Sequence, residues 1–341
     1  MQKVAEVLAK AAAGGEPMVV ARVIEVEGFS TLPVDELVAI DRLGRITGEL
    51  LGRPGEEAMV PMAMELLDSS PGRLARVDVT VGGSSVEELG LTCGGRVGVL
   101  LQPARAIPVE AWSALAARSP VALVTMLEGP DGNPDAIAVS PDGSSCGRLA
   151  VGAKSVQGAL VEEAQRILSE GVTARRSVET LLGQALIEAW VPSPRIVVVG
   201  AGEVVTAIES QSALLGWEVR HTAGHETVTE MLEWAGTTAA LVVLSHDPHV
   251  DVPALAAGLA TPISYVGAMG SRHTQSRRTD RLAAAGVSED DLARIHRPIG
   301  LDLGGRRAPE IALAIAAEIQ AVMHNRDAKS LRDSSGPIHR S

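Results

Sequence analysis

The chain has 341 residues, 46% hydrophobic and 21% charged, enough to bury more than one core and to divide into at least two domains. A formal net charge of −12 and an aromatic content of 2% remove the basic footprint and the stacking platform of general nucleic-acid binding. No apolar run approaches the ~20 residues of a membrane span, the N-terminal MQKVAEVLAKAAAGGE has no signal-peptide centre, and two cysteines exclude a disulfide framework and an iron–sulfur cluster, so the expectation is a cytoplasmic protein without nucleic-acid or membrane partners.

In chain order, MVVARVIEVE (18–27) alternates as a strand does, and residues 36–46 read as two short strands about a turn at Asp41 to Gly44. A helix is predicted over 56–67, strands over 74–81 and 96–101, a helix over 109–117, and strands over 121–127 and 136–139. The turn-rich PDGNPDAIAVSPDGSSC (130–146) reads as an exposed hairpin before a helix over 156–168. This is an α+β pattern, and it makes residues 1–190 an N-terminal domain with connecting helices.

At Val191 to Pro194 the character changes. Strands at 195–199, 217–222, 239–244 and 263–266 alternate with helices at 203–215, 226–235, 252–259 and 271–285, and a last helix runs from Pro309 to about Met323. Such alternation predicts a Rossmann-type parallel sheet over 191–324, and the polar residues 325–341 read as a disordered tail. The fold class is therefore α/β, a C-terminal Rossmann-type domain joined to an N-terminal α+β domain.

The chemistry concentrates in the second domain. In RIVVVGAGEVV a strand runs into Gly200-Ala201-Gly202 and a helix opening at Glu203, the context in which glycines allow close backbone approach and helix amides favour a phosphate. The third glycine of the dinucleotide fingerprint is replaced by Val205, and the acid expected at the end of the second strand is missing from EVRHTAGHE, where Arg220, His221 and Thr222 stand. NAD(P) binding is thereby disfavoured, although Arg220 could accept a 2′-phosphate.

LVVLSHDPHVD places His246, Asp247 and His249 after the third strand, and YVGAMGSRHTQSRR places Gly270, Ser271, Arg272, His273, Thr274 and Arg277 after the fourth. Ligands of open α/β sheets bind at these strand ends, so three loops should face one crevice. There Arg272 and Arg277 could neutralise an anion, with the Ser271 and Thr274 hydroxyls as donors. The His246-Asp247 pair reads either as a loop-ordering contact or as a dyad, and His246 with His249, lacking a clear third ligand, is a weak zinc signal. Asp302 and Arg306, in IGLDLGGRRAPE, belong to a helix entry or to another wall of the cleft. In the first domain Cys93, in LTCGGRVGVLL, reads either as a small buried group or as a thiol exposed by its glycines and favoured as thiolate by Arg96.

Taken in order, PSPRIVVVGAGEV, LSHDPHVD, YVGAMGSRHTQSRRTDRL and RPIGLDLGGRRAPEIALAIAAEI resemble the XdhC/CoxI family of accessory proteins for xanthine dehydrogenase and CO dehydrogenase. More loosely, the segment Gly28 to Pro33 resembles that family's strand-turn and Cys93-Gly94-Gly95 its CGG, whereas ITGELLGRPGEE lacks the family's GGC cysteine and Glu203 replaces a histidine. The resemblance implies a maturation factor that binds molybdenum cofactor, protects it during sulfuration and delivers it to an apo molybdenum hydroxylase. A sulfurase and a second copy of the chain are further candidate partners. The cofactor's phosphate would meet the amides after Gly200, and its metal end Arg272 or Cys93. Two alternatives stay open: an NAD(P)-dependent oxidoreductase, and a Rossmann interaction module without a ligand.

Overall fold

The structure, a computed structural model, describes residues 1–27, 36–68, 73–81, 95–127, 136–149 and 154–333. The expectations for Gly28 to Pro33, for Cys93 and for the end of the tail lie outside these residues. The chain divides into two compact units, Met1–Val191 and Pro192–Ser341.

The first unit holds α1 (Gln2–Gly14), β1 (Met18–Glu27), β2 (Leu37–Asp41), β3 (Ile46–Thr47), α2 (Gly52–Asp68), β4 (Ala75–Val81) and β5 (Gly95–Pro103). It continues with α3 (Val109–Ala116), β6 (Val121–Met126), β7 (Ala136–Val139), β8 (Ser145–Gly147), α4 (Lys154–Leu168), β9 (Ala174–Thr180) and β10 (Gly183–Trp190). Strand alternation sorts the faces. Val19, Ala21 and Val23 of β1 pack with α2, whereas Val20 joins Leu123, Ala138 and Trp190 in a core shared by both sheets and by α1 and α3. Helix α4 covers the far face of the second sheet through Leu160, Ala164 and Ile167.

The same order of elements occurs twice. The sheets run β3-β2-β1-β5-β4 and β8-β7-β6-β10-β9, every junction antiparallel. The registers coincide too: Val20 pairs with Ala39 and Gln102, and Leu123 with Ala138 and Glu188. Gly15 and Arg118, each two residues before a proline, leave their helices with φ of 71° and 54°. The first unit is a tandem structural repeat in which AIDRLGRITG (39–48) corresponds to AVSPDGSSCG (138–147).

Three elements of this unit, α1, β9 and β10, were not anticipated. ARRSVET presents little apolar signal because only Ala174 and Val178 of β9 pack against the core beneath α4, while Ser177 and Glu179 are exposed.

The second unit has β11 (Arg195–Val199), α5 (Glu203–Leu214), β12 (Glu218–Thr222), α6 (Val228–Ala235), β13 (Ala240–Val243), α7 (Pro248–Leu259), β14 (Tyr265–Ala268), α8 (Arg272–Ala284), α9 (Glu289–Ala293), β15 (Ile295–His296) and α10 (Ala308–Met323). Its sheet is parallel with order β12-β11-β13-β14-β15. Helices α5 and α10 share one core with Ile196, Val198 and Val242, while α6, α7 and α8 share the other with Val197, Val199 and Val243. Helix α7 begins four residues before its expected start, because Asp247 caps it and Pro248 suits the first turn. The short β15 and α9 escaped the sequence reading, being too brief to show a period.

Candidate functional site

Strand order reverses between β11 and β13, so the crevice at their C-terminal ends is the expected ligand position of an open α/β sheet. Gly200 ends β11 with φ 150° and donates its amide to the Thr222 carbonyl at 2.8 Å. A Cβ at Gly200 would stand 2.9 Å from the Leu244 Cβ, so glycine here lets the two strand ends approach. Gly202, with φ 97° and ψ −168°, is the N-cap of α5, and no side chain caps that helix. Nothing lies within 4 Å of where a Gly202 Cβ would project, and Ala201, Gly202 and Glu203 are exposed. The result is a helix N-terminus whose amides face open space, an arrangement suited to an anion.

The neighbouring loop follows β13. His246 and Asp247 are exposed there, and Asp247 accepts the His249 amide at 2.9 Å while its own amide is held by the Ser245 hydroxyl at 3.1 Å. Its carboxylate thus works as a helix cap. After β14 comes Gly270, with φ 138°, and then Ser271 caps α8 by accepting the Thr274 amide at 3.3 Å, with the two hydroxyls 3.0 Å apart. Arg272, His273 and Arg277 are exposed.

The group that ties these loops together is Arg278, 2% exposed. It donates to Asp251 of α7 at 2.8 Å, to the Ser245 carbonyl at 3.1 Å, to the Met269 carbonyl at 2.9 Å and to Gln275 at 2.8 Å. Gln275 in turn donates to the Ala268 carbonyl at 3.0 Å. Sequence reasoning chose the adjacent Arg277 and passed over Arg278. The signal was present, since Gln275, Arg278 and Leu282 share the buried stripe of α8.

A fourth segment leaves β15 beside β14, where the Ile299 amide bonds the Ala268 carbonyl at 3.2 Å. It is anchored by Glu318 of α10, which accepts the Gly300 amide at 2.7 Å and the Tyr265 hydroxyl and lies 3.4 Å from His296 Nδ1. Burial raises the Glu318 carboxyl, but hydrogen bonds from His296, Tyr265 and Gly300 outweigh it and hold the group below its ordinary range. Burial, and then Glu318, push the Tyr265 phenol up, so it remains a donor. Asp302 and Arg306 are exposed on the loop beyond, where Glu310 caps α10 through the amides of Arg306 and Arg307 at 2.8 and 3.0 Å.

The strand that would carry a ribose-binding acid ends at Thr222. Arg220 stacks over the Trp234 ring at 4.1 Å, as does Arg195 at 4.5 Å, and His221 is bonded to Glu209 at 2.8 Å. Val205, at the third fingerprint position, is buried in the core shared with α10. In the first unit Cys146 is an exposed free thiol, its pKa raised by desolvation and by Glu110.

The family model described as the XdhC Rossmann domain matches residues 196–319. The uncharacterized protein YqeB of Escherichia coli K12 is 29% identical over 218 residues, and the match takes in 55% of this chain but 40% of YqeB, so less than half of that relative is spanned. The molybdenum cofactor insertion chaperone PaoD of the same organism is 24% identical over 322 residues, 94% of this chain and 88% of PaoD. Among solved structures, a chain described as a xanthine dehydrogenase from Bacillus halodurans aligns over 96% of this chain and 98% of its own length at 18% identity with a TM-score of 0.45, a likeness too loose to bear on fold or activity. The similarity to the XdhC Rossmann domain therefore spans the second unit from β11 into α10, little more than a third of the chain.

Proposed function

We propose that the chain binds molybdenum cofactor as its cargo and assists insertion of that cofactor into a molybdenum hydroxylase of the xanthine dehydrogenase or CO dehydrogenase type. The observation that carries this reading is the uncapped start of α5 behind Gly202, with open space before it at the strand-order reversal. The cargo is a pterin dithiolene with a phosphate at one end and an anionic metal-oxo centre at the other. Its phosphate would take the amides at the start of α5, and Arg272, exposed in the first turn of α8, would supply a bidentate cation for an anionic group. The name of PaoD, a relative over nearly the whole chain, supports the same role.

In this reading the residues bind, orient and release, and the cytoplasm, where apo-hydroxylases are assembled, is the place of work. The partner recognised is an apo molybdenum hydroxylase. Mass spectrometry of ligand released from protein purified anaerobically tests the reading. A phosphate-bearing pterin is the expected result, and a nicotinamide dinucleotide in its place would overturn it.

A further inference from the structure

The repeat in the first unit brings two equivalent strand pairs face to face, and beyond their shared apolar core at Val20 and Leu123 the contact between them turns polar. Arg22 of β1 bridges the sheets, donating to Glu188 of β10 and to Gln102 of β5, and Arg175 of β9 reaches the same Glu188 at 3.4 Å. The registers make Gln102 and Glu188 repeat equivalents, and likewise Arg22 and Thr125. All four side chains are almost fully buried. Among the described residues the Arg22 Nε, the Gln102 Nε2 and the Thr125 Oγ1 find no hydrogen-bond partner. Buried groups of this kind are costly to leave unsatisfied, so three in one layer mark a polar seam between the sheets.

Beside this layer lies a cavity of about 480 Å³, within the range of small-molecule sites, lined by Ile24, Glu25, Val26, Arg76, Leu127, Arg175, Ser177, Gln184 and Leu186. Thr125 pairs directly with the lining Leu186 in the sheet. The lining also follows the repeat: Ile24 corresponds to Leu127, Arg76 to Ser177, and Gln184 to Gly98. Gly98 leaves the room that Arg76 needs to pair with Glu25, since a Cβ there would stand 3.1 Å from the Arg76 guanidinium. Equivalent apolar positions remain apolar in both halves, while the polar ones have diverged, and this breaks the symmetry at the cavity.

We infer that this inter-sheet cavity binds a small organic anion, its apolar body against Ile24, Val26, Leu127 and Leu186 and its acid group toward the lining donors Arg175, Ser177 and Gln184. Donors dominate the polar wall, and the one lining carboxylate, Glu25, is already taken by Arg76. The inference is independent of any ligand in the Rossmann unit.

Anilinonaphthalene sulfonate, an apolar anion, serves as the probe on the full chain, with benzoate and phenyl phosphate as carboxylate and phosphate competitors. One saturable site is expected, weakened about tenfold or more by Ser177→Trp or Gln184→Trp, which fill the cavity. Unfolding midpoints should identify a variant that fails to fold. In the unaltered chain, bound probe should slow amide exchange in β9 and β10. Displacement by one competitor over the other assigns the acid group. No saturable binding, undiminished affinity in a folded tryptophan variant, protection confined to other strands, or displacement by neither competitor would overturn the inference.

Discussion

Arg278 is the side chain whose loss should cost the second unit most. It and Asp251 are both 2% exposed, and one Asp251 oxygen already lacks a partner among the described residues. Arg278→Met would leave a buried carboxylate uncompensated and cost about 3–5 kcal/mol in denaturant unfolding. Arg277→Met, on the exposed face, should cost less than about 0.5 kcal/mol. Equal losses would mean that the clamp on the Ser245 and Met269 carbonyls carries no stability. Glu318 supplies a pH dependence. Its folded pKa is depressed, so the stability it contributes is fully present above its unfolded value of about 4.3 and is lost as pH falls through the folded one. Acid titration of unfolding should therefore be steeper below about pH 4.3 for the parent than for Glu318→Gln. Identical slopes would show that the bonds from Tyr265, His296 and Gly300 leave the carboxyl unperturbed. The Glu318 cluster was not legible residue by residue, because Tyr265, His296 and Glu318 lie far apart in sequence and meet only when β14, β15 and α10 pack, whereas Arg278 could have been read from the buried stripe of α8.

At the scale of elements, the Rossmann unit was legible because β11, β13 and β14 are short apolar runs followed by glycine or turn residues, and because the GAG turn sits between a strand and a helix. The repeat in the first unit was not. Only the hairpin segments retain an obvious likeness, in Gly44 and Gly48 against Gly143 and Gly147, while the paired strands share only a pattern of burial. The reason for those glycines is geometric. Gly48 and Gly147 have φ of 99° and 94°, and a Cβ at each would stand 2.9 Å and 2.4 Å from the carbonyl oxygens of Leu37 and Ala136, themselves repeat equivalents. Gly48→Ala and Gly147→Ala should each lower stability by about 1–3 kcal/mol. Gly158→Ala, in open space within α4, should raise it by about 0.4–1 kcal/mol. Thermal and denaturant unfolding measure both, and a neutral Gly147→Ala would remove the shared constraint.

At the scale of the whole molecule, a chain of net charge −12 exposes Arg272 and Arg277 on the first turns of α8, a local contrast that favours an anionic cargo without general affinity for nucleic acid. Binding of isolated molybdenum cofactor under anaerobic conditions, followed by activation of an apo molybdenum hydroxylase, tests this account most directly. The parent chain should bind the cofactor saturably and hand it on. Arg272→Ala, which removes a charge-assisted contact worth about 1.5–3 kcal/mol, should bind roughly ten- to a hundredfold more weakly. Arg272→Lys should recover only part of the loss, because an ammonium keeps the charge without the fork. Undiminished binding and transfer by Arg272→Ala would contradict the site, and a parent chain that binds no cofactor would contradict the function.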